Sequence, residues 1–154
     1  MASAEARLKE LGIALAAPAT PLGAYVPAVR AAGLVFVSGT LPMKDGHLVA
    51  TGKLGADLTI EQGKAAARQS VINALGSLRG ELGSLDRVKR IVRVEGHVAS
   101  AAGFTDQAQV MNGASELLAE VFGEAGKHTR IAVGSAELPL NSPVEIALIA
   151  EAED

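Results

Sequence analysis

Apolar positions along the chain recur at two different periods, and the change from one to the other divides the sequence into elements. Thr59 and Gln62 form a capping box, and behind it Ala67, Val71, Leu75, Leu78 and Leu82 fall on one helical face, with Gly83 placed to end the helix. A second helix is predicted from about Asp106 to Phe122, where Val110, Met111, Ala114, Leu117, Leu118, Val121 and Phe122 return at helical spacing. Between these, Val88 to Val98 alternates as a strand does, with Val92, Val94 and Val98 on one side. Leu34 to Gly39 is a short apolar run bounded by glycines, the pattern of a buried strand. Two further strands are predicted at Arg130 to Leu138 and Val144 to Glu151, separated by Pro139 and Pro143.

At the N-terminus, Ala4 to Leu11 reads as a short helix stopped by Gly12. Residues 1–22 form an extension of this helix and a loop, and the loop, Ala16 to Pro27, holds Pro18, Pro21 and Pro27. The order strand, helix, strand, helix, strand, strand predicts an α+β fold with a mixed sheet and two helices on one face. Ile131, Val133, Val144, Ile146, Leu148 and Ile149 cannot all point at the same helices. A sheet apolar on both faces, with helices for one of them, implies an oligomer.

Length and composition narrow this picture. A chain of 154 residues is the size of one domain with one core, so 1–154 is read as a single domain. With three Phe, one Tyr and no Trp, that core is built from small aliphatic side chains. The absence of cysteine excludes disulfides, thiolate metal sites and a cysteine nucleophile, and it fits a cytoplasmic protein. No apolar run approaches the ~20 residues that span a bilayer, so no membrane partner is expected. The first twelve residues carry Glu5, Arg7, Lys9 and Glu10 where a signal peptide is apolar. A net charge of −3 argues against a large nucleic-acid footprint. The basic run Arg87, Lys89, Arg90 and Arg93 lacks aromatic stacking residues and reads as a solvated strand edge. His47, His97 and His128 have no metal-ligand spacing, and no cofactor motif is present, so neither metal nor cofactor is expected. His128, although close to Arg130, reads as a loop residue.

The string Arg130-Ile131-Ala132-Val133-Gly134, followed by Leu138-Pro139 and Val144-Glu145-Ile146, resembles the C-terminal signature of the RidA (YjgF) family. Gly23-Ala24-Tyr25 is similar to that family's Gly-Pro-Tyr element, and Ser38-Gly39-Thr40-Leu41-Pro42 to its Ser-Gly-Gln-hydrophobic-Pro turn. Asn112 stands where the family usually has an asparagine. Thr40, Val26-Pro27 and Thr129 depart from the usual residues and place the chain in a longer, less characterised branch. The resemblance implies a fold like the Bacillus type of chorismate mutase, a homotrimer with a central barrel, and ligand clefts between subunits. It further implies an enamine/imine deaminase that hydrolyses 2-imino acids to 2-keto acids and ammonia. The alternative is a non-catalytic protein that holds a keto acid in the same cleft; chorismate mutase activity would rest on fold analogy alone.

The residues fit that chemistry. An imino acid offers a carboxylate and an electrophilic carbon. The planar guanidinium of Arg130 suits the first, a small carboxylate-bearing metabolite being the expected partner. Glu145, in an apolar strand, suits the second by holding water and moving its proton. The plainer readings are a surface salt bridge for Arg130 and an outward-facing strand residue for Glu145. Ser38 and Gly39 are candidates to receive the substrate or simply to make a turn. Tyr25 closes a cleft or packs a loop, and Asn112 bonds the ligand or caps a helical turn. If the last two strands run antiparallel, Arg130 and Glu145 lie at opposite ends, on the order of 20 Å apart, and serve one site only across a subunit boundary.

Overall fold

The computed structural model describes residues 2–21 and 23–154. Helix α2 (Ile60–Leu82) begins at the capping box, where Thr59 and Gln62 satisfy each other's backbone N–H groups, and ends at Gly83 in the left-handed conformation. Helix α3 (Gln107–Phe122) follows, and the short α1 (Ala4–Glu10) precedes both. The strands are β1 (Ala28–Ala31), β2 (Leu34–Thr40), β3 (Met43–Lys44), β4 (His47–Leu48), β5 (Val88–Ala99), β6 (Thr129–Ser135) and β7 (Val144–Ala152). Five of them form one mixed sheet in the order β1-β2-β7-β5-β6, and β3 and β4 make a separate small hairpin. β5 and β6 pair in parallel, and the other pairs of the sheet are antiparallel.

Alternation along β7 decides which side faces the core. Val144, Ile146, Leu148, Ala150 and Ala152 are buried. Val35 and Val37 of β2 and Ile91, Val94 and Val98 of β5 join them in one apolar cluster with α2 and α3. Small residues let the layers close: a side chain at Gly96 would collide with Met111 of α3, and one at Gly113 with the backbone carbonyl of Lys64 in α2. The opposite face carries Val29, Phe36, Ile131 and Val133, each more than a third exposed, and no helix among the described residues covers it. The apolar residues of the last two strands thus divide between two faces, as the sequence requires. No helix among the described residues is long and apolar enough to cross a membrane.

β5 lies between the last two strands, parallel to β6 and antiparallel to β7, so those two run antiparallel to each other. β6 ends at Ser135, before the predicted Leu138, and a turn at Pro139–Asn141 with left-handed Leu140 and Asn141 leads into β7.

Candidate functional site

Arg130 is the second residue of β6, an edge strand, and aligns with Val94 of β5, which in turn aligns with Leu148 of β7. Its side chain therefore lies on the helical side of the sheet. There Ala108, Asn112 and Ser115, spaced four and three residues apart, form one stripe of α3 facing it. Arg130 Nη1 donates to Asn112 Oδ1 at 2.9 Å and to Ser115 Oγ at 3.1 Å, and Nη2 donates to the Ala108 carbonyl at 3.3 Å. All three acceptors are neutral, and Arg130 forms no ion pair among the described residues. Nε–H and the second N–H of Nη2 have no acceptor there. They belong to adjacent nitrogens, the arrangement a carboxylate accepts bidentately. Asn112 holds the arginine through its Oδ1.

Ser115 and His128 extend the cluster. His128 Nε2 lies 2.9 Å from Ser115 Oγ, and Nδ1 lies 2.6 Å from the Gly126 carbonyl oxygen. With Ala119 and Lys127 these residues line a cavity of about 270 Å³ beside Arg130. Sequence reading passed over Ser115 and took His128 for a loop residue; the signal for them was a serine on the same helical stripe as Asn112 and a histidine two positions before the arginine.

The other candidates gather elsewhere. Glu145 aligns with His97 of β5, which aligns with Val133 of β6, so its side chain is on the open face. A side chain at Gly39 would collide with the Glu145 carboxylate, which puts the two in contact at the point where the β2–β7 register shifts. Ser38 Oγ donates to the Val26 carbonyl at 2.6 Å, and Ser38 N–H donates to the Pro27 carbonyl at 2.9 Å. Both donors of Ser38 thereby pin the loop that carries Tyr25, whose ring is half exposed. Tyr25, Ser38, Gly39 and Glu145 make one group; Arg130 and Asn112 make another.

Within one chain the two groups cannot meet. Arg130 and Glu145 are offset by three residues along the sheet and two strands across it, which corresponds to roughly 14 Å between backbones rather than 20. They also point to opposite faces, a stronger separation than distance. No cluster of three or more His, Cys, Asp or Glu suited to a metal occurs among the described residues.

Residues 5–152 match the family described as "YjgF/chorismate mutase-like, putative endoribonuclease". The chain belongs to the YjgF family. It is 45% identical over 147 residues to Protein TCP17 of Trypanosoma cruzi, covering 95% of this chain and 92% of that one. An Agrobacterium tumefaciens protein of unknown function shares 42% identity with a TM-score of 0.90, over 97% of this chain and 92% of the other. A Shewanella oneidensis structure whose name carries the same endoribonuclease description shares 37% identity, with a TM-score of 0.94, over 97% and 99% of the two chains. The YjgF fold thus accounts for the sheet order and for both helices on one face.

His128 gives this YjgF chain a pH-sensitive element. Burial lowers its pKa, the Gly126 carbonyl acts against that, and the neighbouring Arg130 charge lowers it further. Above the ordinary histidine value of about 6.5 the ring is neutral both folded and unfolded. As pH falls, the unfolded chain takes up this proton first, so stability drops until the depressed folded value is reached and then levels off. The stability difference between wild type and His128→Gln in urea is therefore expected to shrink from about pH 7.5 to about pH 5.5. An unchanged difference would place the imidazole in a different environment.

Proposed function

We propose that this protein is an enamine/imine deaminase, working as a homotrimer in which Arg130 of one copy and Glu145 of the next complete each site. The observation that carries the proposal is a half-buried arginine bonded to three neutral acceptors, with two adjacent donors open and no counterion among the described residues. A small carboxylate ligand fits those donors. Such a ligand also supplies the missing negative charge.

The reaction follows from the two groups. With the substrate carboxylate on Arg130, water held by Glu145 attacks the C=N carbon and forms a C–O bond. Glu145 takes a proton from that water and delivers it to the nitrogen. Glu145 then relays the hydroxyl proton of the carbinolamine to its amino nitrogen, the C–N bond breaks as C=O forms, and ammonia leaves with a keto acid. Tyr25 closes the cleft, with Ser38 and Gly39 shaping its floor. The exposed apolar face with Phe36, Ile131 and Val133 supports the assembly, because association removes it from water.

RNA cleavage, the activity in the family's description, finds less support in this chain. Lys89 pairs with Glu151 at 2.8 Å and Arg93 with Glu95 at 3.0 Å, and Arg87 bonds the carbonyls of Leu82 and Glu153. Those cations are largely occupied within the chain, and the net charge is −3. The test generates imino acids with an amino-acid oxidase and follows their decay, with light scattering on the same preparation. Faster keto-acid formation by a trimer is the expected result. A folded trimer without acceleration that still binds a keto acid would replace catalysis with metabolite binding.

A further inference from the structure

The cluster behind Arg130 has a direction. The Gly126 carbonyl can only accept, so His128 Nδ1 carries the hydrogen of their bond. Neutral imidazole then has a bare Nε2, and the Ser115 hydroxyl must donate to it. The only hydrogen of that hydroxyl points away from the arginine, and its lone pairs face Arg130 Nη1 at 3.1 Å. We propose that His128, acting through Ser115, is a positioning residue that locks the Arg130 guanidinium with its open donor edge toward the ligand.

Each part of the chain of contacts is needed. A serine inside a helix otherwise turns its hydroxyl back to the carbonyl four residues earlier, here that of Met111, which changes what it presents to its neighbours. His128 offers a competing acceptor and fixes the rotor. Asn112 holds the same Nη1 from the other side, so that nitrogen has both hydrogens bonded and cannot rotate without breaking two bonds. A guanidinium fixed in this way loses less freedom when it grips a carboxylate. The other charges around the ring fit a neutral histidine. Arg130 and Lys127 line the same cavity, Lys127 pairs with Glu124 at 2.7 Å, and burial and Arg130 both disfavour the imidazolium. No residue of this group touches the reacting atoms, so the role is orientation.

The inference rests on the proposed carboxylate site, and its test separates the two. Nitrogen NMR of labelled protein near about pH 7.5 reports the histidine tautomer and whether the Arg130 Nη signals are separate, as hindered rotation requires, or merged. The expected spectrum has Nδ1 protonated, Nε2 bare and the Nη signals separate. Merging is expected in Ser115→Ala and in His128→Phe, which keeps the ring's bulk but not its acceptor. Separation is expected to persist in His128→Gln, whose amide oxygen can take the hydroxyl hydrogen. Pyruvate titrations should follow the spectra, with about tenfold weaker binding for His128→Phe, within about twofold of wild type for His128→Gln, and no added loss in the Ser115→Ala/His128→Phe double variant. Separate Nη signals in His128→Phe, or a hydrogen on Nε2, would overturn the proposal. A locked arginine that His128→Phe releases, in a protein that binds no pyruvate, leaves the positioning role standing and removes the carboxylate reading instead.

Discussion

Arg130→Ala is expected to lower kcat/KM for imino-acid hydrolysis by about 10³-fold, because two charge-assisted hydrogen bonds to the substrate carboxylate contribute ~4 kcal/mol together. Arg130→Lys should recover little of this. An ammonium keeps the charge but lacks the planar pair of donors, and it cannot reach Asn112, Ser115 and the Ala108 carbonyl at once in the way the guanidinium does. Stability should change little, since Arg130 has no ion pair to lose among the described residues. The check is steady-state kinetics on coupled imino-acid production, with thermal unfolding of each variant alongside. Activity of Arg130→Ala within about threefold of wild type would remove the arginine from the site. If wild type binds keto acid without turnover, the same substitution should abolish that binding.

Much of the architecture was legible because local and tertiary signals agree. The Thr59–Gln62 box, the spacing from Ala67 to Leu82 and the left-handed Gly83 mark the same helix independently. What escaped was short or non-local. β1 has four residues behind Pro27 and turns into β2 through Ala32 and Gly33, both at positive φ, and Ala-Gly is a weak hairpin signal. The β3–β4 hairpin does turn at Asp45-Gly46, a stronger signal, but two-residue strands are too short to show alternation. The sequence left open what lies between β6 and β7. Placing β5 between them requires knowing that β5 pairs in parallel with β6 across the α3 crossover, which no local pattern encodes. The site shows the same division. Arg130 and Glu145 stood out through the family signature, whereas Ser115 and His128 are ordinary residues until α3 is laid against β6.

The separation of the two groups leads to the second large effect. Arg130→Ala and Glu145→Gln should each be nearly inactive alone, and a mixture of the two, unfolded and refolded together, should regain activity. Arg130 faces α3 and Glu145 faces the open side of the sheet, so a site that uses both takes them from different copies. In a randomly mixed trimer a site is intact when its arginine comes from a Glu145→Gln chain and its glutamate from an Arg130→Ala chain, which holds for about a quarter of sites. Recovery should approach about a quarter of wild-type activity, while refolding either variant by itself restores none. If both residues of one chain served the same site, every mixed trimer would be as inactive as its parents. The mixture therefore distinguishes a shared cleft from an internal one by a yes-or-no result. Gly39 offers an independent check on the glutamate's side: a methyl group there would collide with the Glu145 carboxylate, so Gly39→Ala should impair chains that must supply the glutamate and spare those that supply only the arginine.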